Sequence, residues 1–153
     1  MSEQKNVSLQ PQVGVGVIVM RKQNGKEQVL LHRRNKVDTG KGYWGSGGGH
    51  LELGESIMEG ALRELHEESG GKLNLTNVRF MGVCNFTEFA PKHYVDVSFI
   101  ADWVSGEPEN DKAEEAIEWQ WFNLDSLPTP LYPIVNRYLE AFKSGEVFLD
   151  SKI

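Results

Sequence analysis

A helix bracketed by glycines, carrying a stripe of acidic residues, constrains this chain more than any other segment. Seven glycines stand between Gly40 and Gly54, and the run Gly49 to Gly71 follows as GHLELGESIMEGALRELHEESGG. Ser56-Ile57-Met58-Glu59 has the form of a capping box and Gly70 supplies a C-terminal stop, so Glu55 to Ser69 is expected to be helical. At ~100° per residue, Ile57, Met58, Ala61, Leu62 and Leu65 fall within an arc of roughly 140° and are expected to face the core. Glu64, Glu67 and Glu68, at i, i+3 and i+4, form a second stripe beside it. Like charges at this spacing cost about 0.2–0.5 kcal/mol per pair in an isolated helix. A hard divalent cation, Mg²⁺ or Mn²⁺, prefers oxygen ligands and would turn that repulsion into coordination. Arg63, roughly 100° around the helix from Glu64, braces a carboxylate or neutralises charge. Just upstream, Gly45, Gly47, Gly48 and Gly49 let backbone pack closely and point carbonyls or amides at a ligand.

The rest of the chain supplies strands around this helix. Val13 to Met20 reads as a buried strand, Asn24-Gly25 as a two-residue turn, and Gln28 to Leu31 as the returning strand. His32 to Lys41 reads as a polar loop. Val78 to Asn85 and His93 to Val104 are strand-like, with Val95, Val97 and Phe99 on one face. Ser105 to Glu115 reads as an acidic loop, Ile117 to Phe122 as a short strand, and Pro133 to Phe142 as a terminal helix with proline in its first turn. Strands before and after one central helix imply a mixed α/β class. The reading is an N-terminal tail, 1–12, followed by one domain, 13–153.

Composition narrows the function. Hydrophobic residues make up 39% and charged residues 25%, which argues against disorder. Lys plus Arg number 16 against 22 Asp plus Glu, a net charge of −6, so a duplex nucleic acid is not expected as a partner. A single cysteine, Cys84, excludes an intramolecular disulfide and reads as a small core residue. No apolar run has the ~18 residues of a membrane helix and no secretory signal opens the chain, so a soluble cytoplasmic protein without a membrane partner is expected. Gly40 to Gly45 matches GxGxxG, but no apolar strand enters it and no helix leaves it; GK[ST] is also absent.

The segment resembles the signature of the Nudix hydrolases, G-x5-E-x7-R-E-U-x-E-E-x-G-U, where U is aliphatic. Gly49, Glu55, Arg63, Glu64, Leu65, Glu67, Glu68 and Gly70 match in register. Gly71 departs from it, standing where an aliphatic residue is usual, which is expected to weaken packing at the helix end. The resemblance implies an α/β/α sandwich with a mixed sheet and a loop–helix–loop catalytic motif. It implies Mg²⁺ (or Mn²⁺) held by Glu64, Glu67, Glu68 and the Gly49 carbonyl, with Arg63 orienting a glutamate and Glu55 supporting the loop through Arg63. Metal ions in such a site neutralise pyrophosphate oxygens and activate a water for in-line attack. A carboxylate takes the water's proton, Glu67 foremost, with Glu114, Glu115 and Glu118 as rivals.

The short chain is similar to the MutT-like members that hydrolyse a nucleoside triphosphate, plain or oxidised, to monophosphate and pyrophosphate. ADP-ribose, a nucleotide sugar or a dinucleoside polyphosphate is the alternative substrate, and a non-catalytic nucleotide-binding domain is the alternative of another class. Members of the family are often dimers, which makes a homodimer a hypothesis here; the sequence itself does not specify the oligomeric state. For substrate contacts, Trp44, His50, Tyr43 and Phe86 either line a nucleobase pocket or pack in the core. Arg33 and Arg34 either meet phosphates or face solvent, and Gly48 shapes the pocket loop. His93 reads as structural, and Trp103, Trp119 and Trp121 as core or rim.

Overall fold

A computed structural model describes residues 10–36, 40–110 and 116–150. Its strands are β1 (Gln12–Gln23), β2 (Lys26–Arg34), β3 (Trp44–Gly45), β4 (Gly47–His50), β5 (Asn74–Phe86), β6 (Tyr94–Ser105), β7 (Ala116–Asn123) and β8 (Phe148–Leu149). Its helices are α1 (Ile57–Ser69) and α2 (Pro133–Ser144). The main path through the sheet is β3-β2-β1-β6-β5-β8, with β4 paired to β1 and β7 to β2. The sheet is mixed: β1 runs parallel to β6 and β5 to β8, while the other pairs are antiparallel.

Alternation along β1 explains the layers. Val15, Val17 and Val19 pack with Ala61 and Leu65 of α1. Ile18 and Met20 point the other way, into a cluster with Val135, Tyr138 and Leu139 of α2. Successive side chains of a strand face opposite sides, so the two helices cover opposite faces and the molecule is an α/β/α sandwich. The Asn24-Gly25 turn closes β1 onto β2 with both residues at positive φ, 51° and 76°, the backbone a tight hairpin needs. Pro133 opens α2 as expected, and a left-handed Gly145 closes it after Ser144, two residues beyond the expected end at Phe142.

Four details correct the sequence reading. His32 to Arg34 belong to β2, held in the sheet by pairing with β3 and β7, so the polar loop starts later than expected. The glycine stretch is partly strand: β4 pairs with β1, glycine against glycine at Gly16 and Gly48. The two-residue β8 was not anticipated, being too short for any periodicity. On α1, Ile57 and Met58 are 41% and 39% exposed. The buried face comprises Gly60, Ala61, Leu65, Glu68 and Ser69, so it draws in an acidic residue and leaves the first turn outside the core. Of the segment read as a tail, residues 1–9 lie outside the described residues and Gln12 opens β1.

Candidate active site

The site begins with how closely α1 lies on the glycine strand. Ser56 caps the helix by accepting from the Glu59 backbone N–H at 3.1 Å, and Glu59 accepts from the Ser56 N–H at 3.0 Å. This reciprocal box fixes where the helix starts. Its body then presses on β4: a methyl group at Gly47 would come within 2.6 Å of Leu65 Cδ1, and one at Gly49 within 2.6 Å of Glu64 Oε1. Only glycine permits that separation. At the far end Gly70 and Gly71 both have positive φ, 81° and 74°. A side chain at Gly71 would meet the His66 ring at 2.6 Å. The departure from the aliphatic residue at position 71 therefore matches a local need, with the His66 ring occupying the space.

Arg63 ties the acids together. Its Nε and Nη2 donate to the two oxygens of Glu55 at 3.0 and 2.8 Å, a bidentate pair. Nη1 donates to Glu64 Oε1 at 3.0 Å and lies 3.4 Å from both oxygens of Glu67. Nη2 also reaches the His50 carbonyl at 3.0 Å, fixing the end of β4. The Arg63 hydrogen bonds, with the Glu52 backbone N–H next in weight, hold the Glu55 carboxyl down at about 2. The same bonds to Glu55 raise the guanidinium further above its ordinary range. Glu64 shifts the other way. Burial raises its pKa, Arg63 opposes the rise, and the like charges of Glu68 and Glu67 add to it.

Glu68 is the most enclosed of the three, 6% exposed. Its carboxylate lies 3.4 Å from the Gly48 N–H and 3.4 Å from His32 Nε2. His32 itself is buried, with its ring 4.6 Å from that of Trp119. Glu67, by contrast, has a side chain 58% exposed. Glu64 rests against Gly49 and Glu68 against Gly48, so with Glu67 and the Gly49 carbonyl the donors available here are all oxygens, the chemistry that Mg²⁺ selects. The residues thus fit such an ion. Arg63 sits among the carboxylates as counter-charge, and among the described residues no three acidic, histidine or cysteine side chains already converge on a common point.

Beside the glycine strand opens a cavity of about 150 Å³, whose lining includes Gly48, Gly49, His50 and Arg34. Lys36 and Lys92 add positive charge to its rim. Burial lowers the pKa of His50, and Lys36 and Lys92 push it the same way. Of the expected substrate contacts, Arg34, Gly48, His50 and Phe86 line this cavity. Arg33 and Trp44 do not: Arg33 pairs with Glu118 at 3.2 Å, and the Trp44 ring packs edge-on against Phe122 at 4.9 Å. Both lie on paired strands, where alternation turns neighbouring side chains to opposite faces. Glu114 and Glu115 lie outside the described residues. His93 is engaged by Asn85 Oδ1 at 2.6 Å, and Cys84 is fully buried, its thiol pushed up to about 11 chiefly by burial.

Sequence reasoning passed over Asp96, Tyr132 and Tyr138, all of which line the cavity. A signal was present for Asp96 alone, an acid inside the apolar run of a buried strand.

An acid-bearing helix set against a glycine strand, on an α/β/α sandwich, defines a class of domain in which a loop–helix–loop carries the chemistry. The chain belongs to the NUDIX family, whose domain model matches residues 10–142. It is 38% identical over 103 residues to the oxidized purine nucleoside triphosphate hydrolase of Mus musculus, covering 67% of this chain and 62% of that protein. It is 35% identical over 104 residues to the NAD-capped RNA hydrolase NudC of Pseudomonas aeruginosa, covering 67% of this chain but 34% of that one. The match thus spans less than two thirds of either relative. Among solved structures, a MutT NUDIX hydrolase from Burkholderia pseudomallei superposes with a TM-score of 0.74 at 30% identity, covering 86% of this chain and 97% of that one. Among the described residues no helix is long and apolar enough to cross a membrane.

Proposed function

We propose that this protein hydrolyses a phosphoric anhydride bond of a nucleotide, with a nucleoside triphosphate, plain or oxidised, as substrate and monophosphate plus pyrophosphate as products. The observation that carries the reading is the Arg63-braced row of Glu64, Glu67 and Glu68 on α1, set against the glycine strand whose Gly48 and Gly49 also line a cavity bearing Arg34, Lys36 and Lys92. Its similarity to the mouse triphosphate hydrolase supports the choice of substrate.

Glu64, Glu68 and the Gly49 carbonyl, with Glu67, would hold Mg²⁺, or Mn²⁺ in its place. The ion, when bound, supplies charge neutralisation on the pyrophosphate and a more acidic water. The chain's own groups do the rest. Arg63 and Glu55 act as positioning residues: their bidentate pair and the bond to the His50 carbonyl hold helix and glycine strand in register. Glu67, the most open carboxylate of the three, takes the proton of the attacking water. Glu118, paired with Arg33 at 3.2 Å, is the alternative base. Arg34, Lys36 and Lys92 receive phosphate charge on the rim.

The test is a Mg²⁺-dependent hydrolysis screen with products resolved by chromatography. Its panel comprises plain and 8-oxo nucleoside triphosphates, ADP-ribose, dinucleoside polyphosphates and nucleotide sugars. Monophosphate plus pyrophosphate from a triphosphate is the expected result. Cleavage confined to ADP-ribose, sugar nucleotides or dinucleotides would replace the substrate. Folded, metal-loaded protein that turns over none of them would refute the enzyme reading in favour of a binding domain.

A further inference from the structure

The cavity has a floor that the acid cluster does not use. Asp96 lies within β6, opposite Gly14 of β1 in the parallel register. Its Oδ1 accepts from the Ser98 hydroxyl at 2.7 Å and from the Tyr138 hydroxyl at 2.8 Å. Among the described residues no cation is paired with it. Burial raises its pKa, and the two hydroxyl donors pull it back only in part. A carboxyl in such a place is costly unless its remaining oxygen has a partner.

That oxygen, Oδ2, lies beside Gly14: a methyl group there would stand 2.9 Å from it. The missing side chain leaves Oδ2 open to the cavity, which Asp96 and Gly14 both line. Phe86, Tyr94 and Tyr132 are also in the lining. At about 150 Å³, the space is below the ~300–1,000 Å³ of pockets that enclose a whole drug-sized ligand. It suits one flat ring system, with the rest of the molecule extending along Gly48 and Gly49 toward the acids. Aromatic walls around a single outward oxygen are the chemistry that recognises a heterocycle by its edge.

We infer that Asp96 is a specificity-determining residue, its Oδ2 accepting an N–H from the exocyclic amino group of an adenine or cytosine base seated on the cavity floor. This rests on the reading of the cavity as a nucleotide site. A base carrying a carbonyl in place of the amino group sets lone pair against lone pair and is rejected. The pairs that test this contact are adenine against hypoxanthine and cytosine against uracil, which exchange donor and acceptor along that edge, at the exocyclic group and the ring nitrogen beside it, without a change of shape.

The experiment compares kcat/KM for ATP against ITP and CTP against UTP, and metal-free calorimetric Kd values for AMP against IMP and CMP against UMP. Wild type and Asp96→Asn are measured side by side, with folding checked by circular dichroism. Wild type should prefer the amino member of at least one pair by about tenfold, the scale of a good base-edge contact. Asparagine is isosteric and keeps an acceptor for Ser98 and Tyr138, but turns a donor outward. It should therefore lower the amino-to-oxo ratio at least about tenfold. Gly14→Ala, which covers Oδ2 and leaves the carboxyl in place, should erase the same preference and carries the test if the asparagine variant does not fold. A wild type that treats both members of each pair alike, or an unchanged ratio in both folded variants, would overturn the assignment. Hydrolysis without base preference sinks this inference alone, whereas base-selective binding without hydrolysis sinks the enzyme reading and upholds this one.

Discussion

Gly49→Ala places a methyl group where the Glu64 carboxyl already is. The added carbon would lie 2.6 Å from Glu64 Oε1 and closer still to Oε2 and Cδ, whereas carbon and oxygen settle at about 3.3–3.6 Å, so the carboxyl must retreat by at least about 1 Å. It is the free end of a side chain, and its retreat asks little of the backbone. The stability loss should accordingly sit at the low end of overpacking costs, about 1 kcal/mol. For a chain of this size that is about 2–4 °C in Tm. Activity should fall much further, because a displacement of ~1 Å in a catalytic group costs on the order of a hundredfold. The retreat also strains the 3.0 Å bond from Arg63. The assay is release of pyrophosphate from the preferred triphosphate, read by coupled phosphate detection beside a thermal melt. Glu64→Asp in the same background shortens the side chain by a methylene and should recover part of the loss, a coupling that a double-mutant cycle reads directly. A Gly49→Ala protein with the wild-type rate would show that Glu64 need not rest on the glycine strand, and the reasoning would fail.

Three further outcomes are expected. Glu68→Gln keeps the buried shape beside Gly48 and His32 but removes charge, and should cut turnover by about a hundredfold with the fold intact; a near-normal rate would remove Glu68 from the metal site. Glu55 is shifted from an ordinary 4.5 to about 2, so its contribution to stability is complete above about pH 4.5 and lost as pH falls through about 2. Urea midpoints measured across that window should fall less steeply in Glu55→Gln, and parallel curves would count against the Arg63 pairing. Mg²⁺ at a hundred times its Kd should stabilise the folded protein by about 2.7 kcal/mol, a rise of about 5–11 °C in Tm, reversed by EDTA; an unmoved melt would argue that the acids bind no ion.

The helix and its acids were legible because their signals are local. A capping box, a terminal glycine and a row of carboxylates are all set by neighbours within a few residues, and α1 ends where they place it. The hairpin was legible for the same reason, its turn fixed by Asn24 and Gly25. What could not be read was fixed by partners distant in the chain. His32 is in a strand because it pairs with Gly45 of β3 while Leu31 and Arg33 on either side of it pair with β7, more than eighty residues on, and its ring lies against Glu68 of α1. The exposure of Ile57 and Met58 has the same origin: helical periodicity specifies a stripe, but the sheet decides how much of the stripe it covers. Trp44 and Arg33 were expected near the substrate from their closeness to the glycines in sequence, and neither lines the cavity: one packs on Phe122 and the other pairs with Glu118.

The two-sided burial of β1 bears on how this protein tolerates change. In a strand with one wet face, sliding by a single residue exposes the core and is strongly resisted. Here Val15, Val17 and Val19 face one core while Ile18 and Met20 face the other, so a slipped strand would still bury aliphatic groups on both sides. Greasiness therefore does little to keep β1 in place. The alignment is enforced by the tight reversal at one end, where Gln23 meets Lys26, and by glycine meeting glycine at the other, where Gly16 meets Gly48. Lengthening the Asn24-Gly25 turn should thus yield a protein that still collapses into a well-buried sandwich while its glycine strand no longer meets the acids, so that catalytic competence is lost well before compactness.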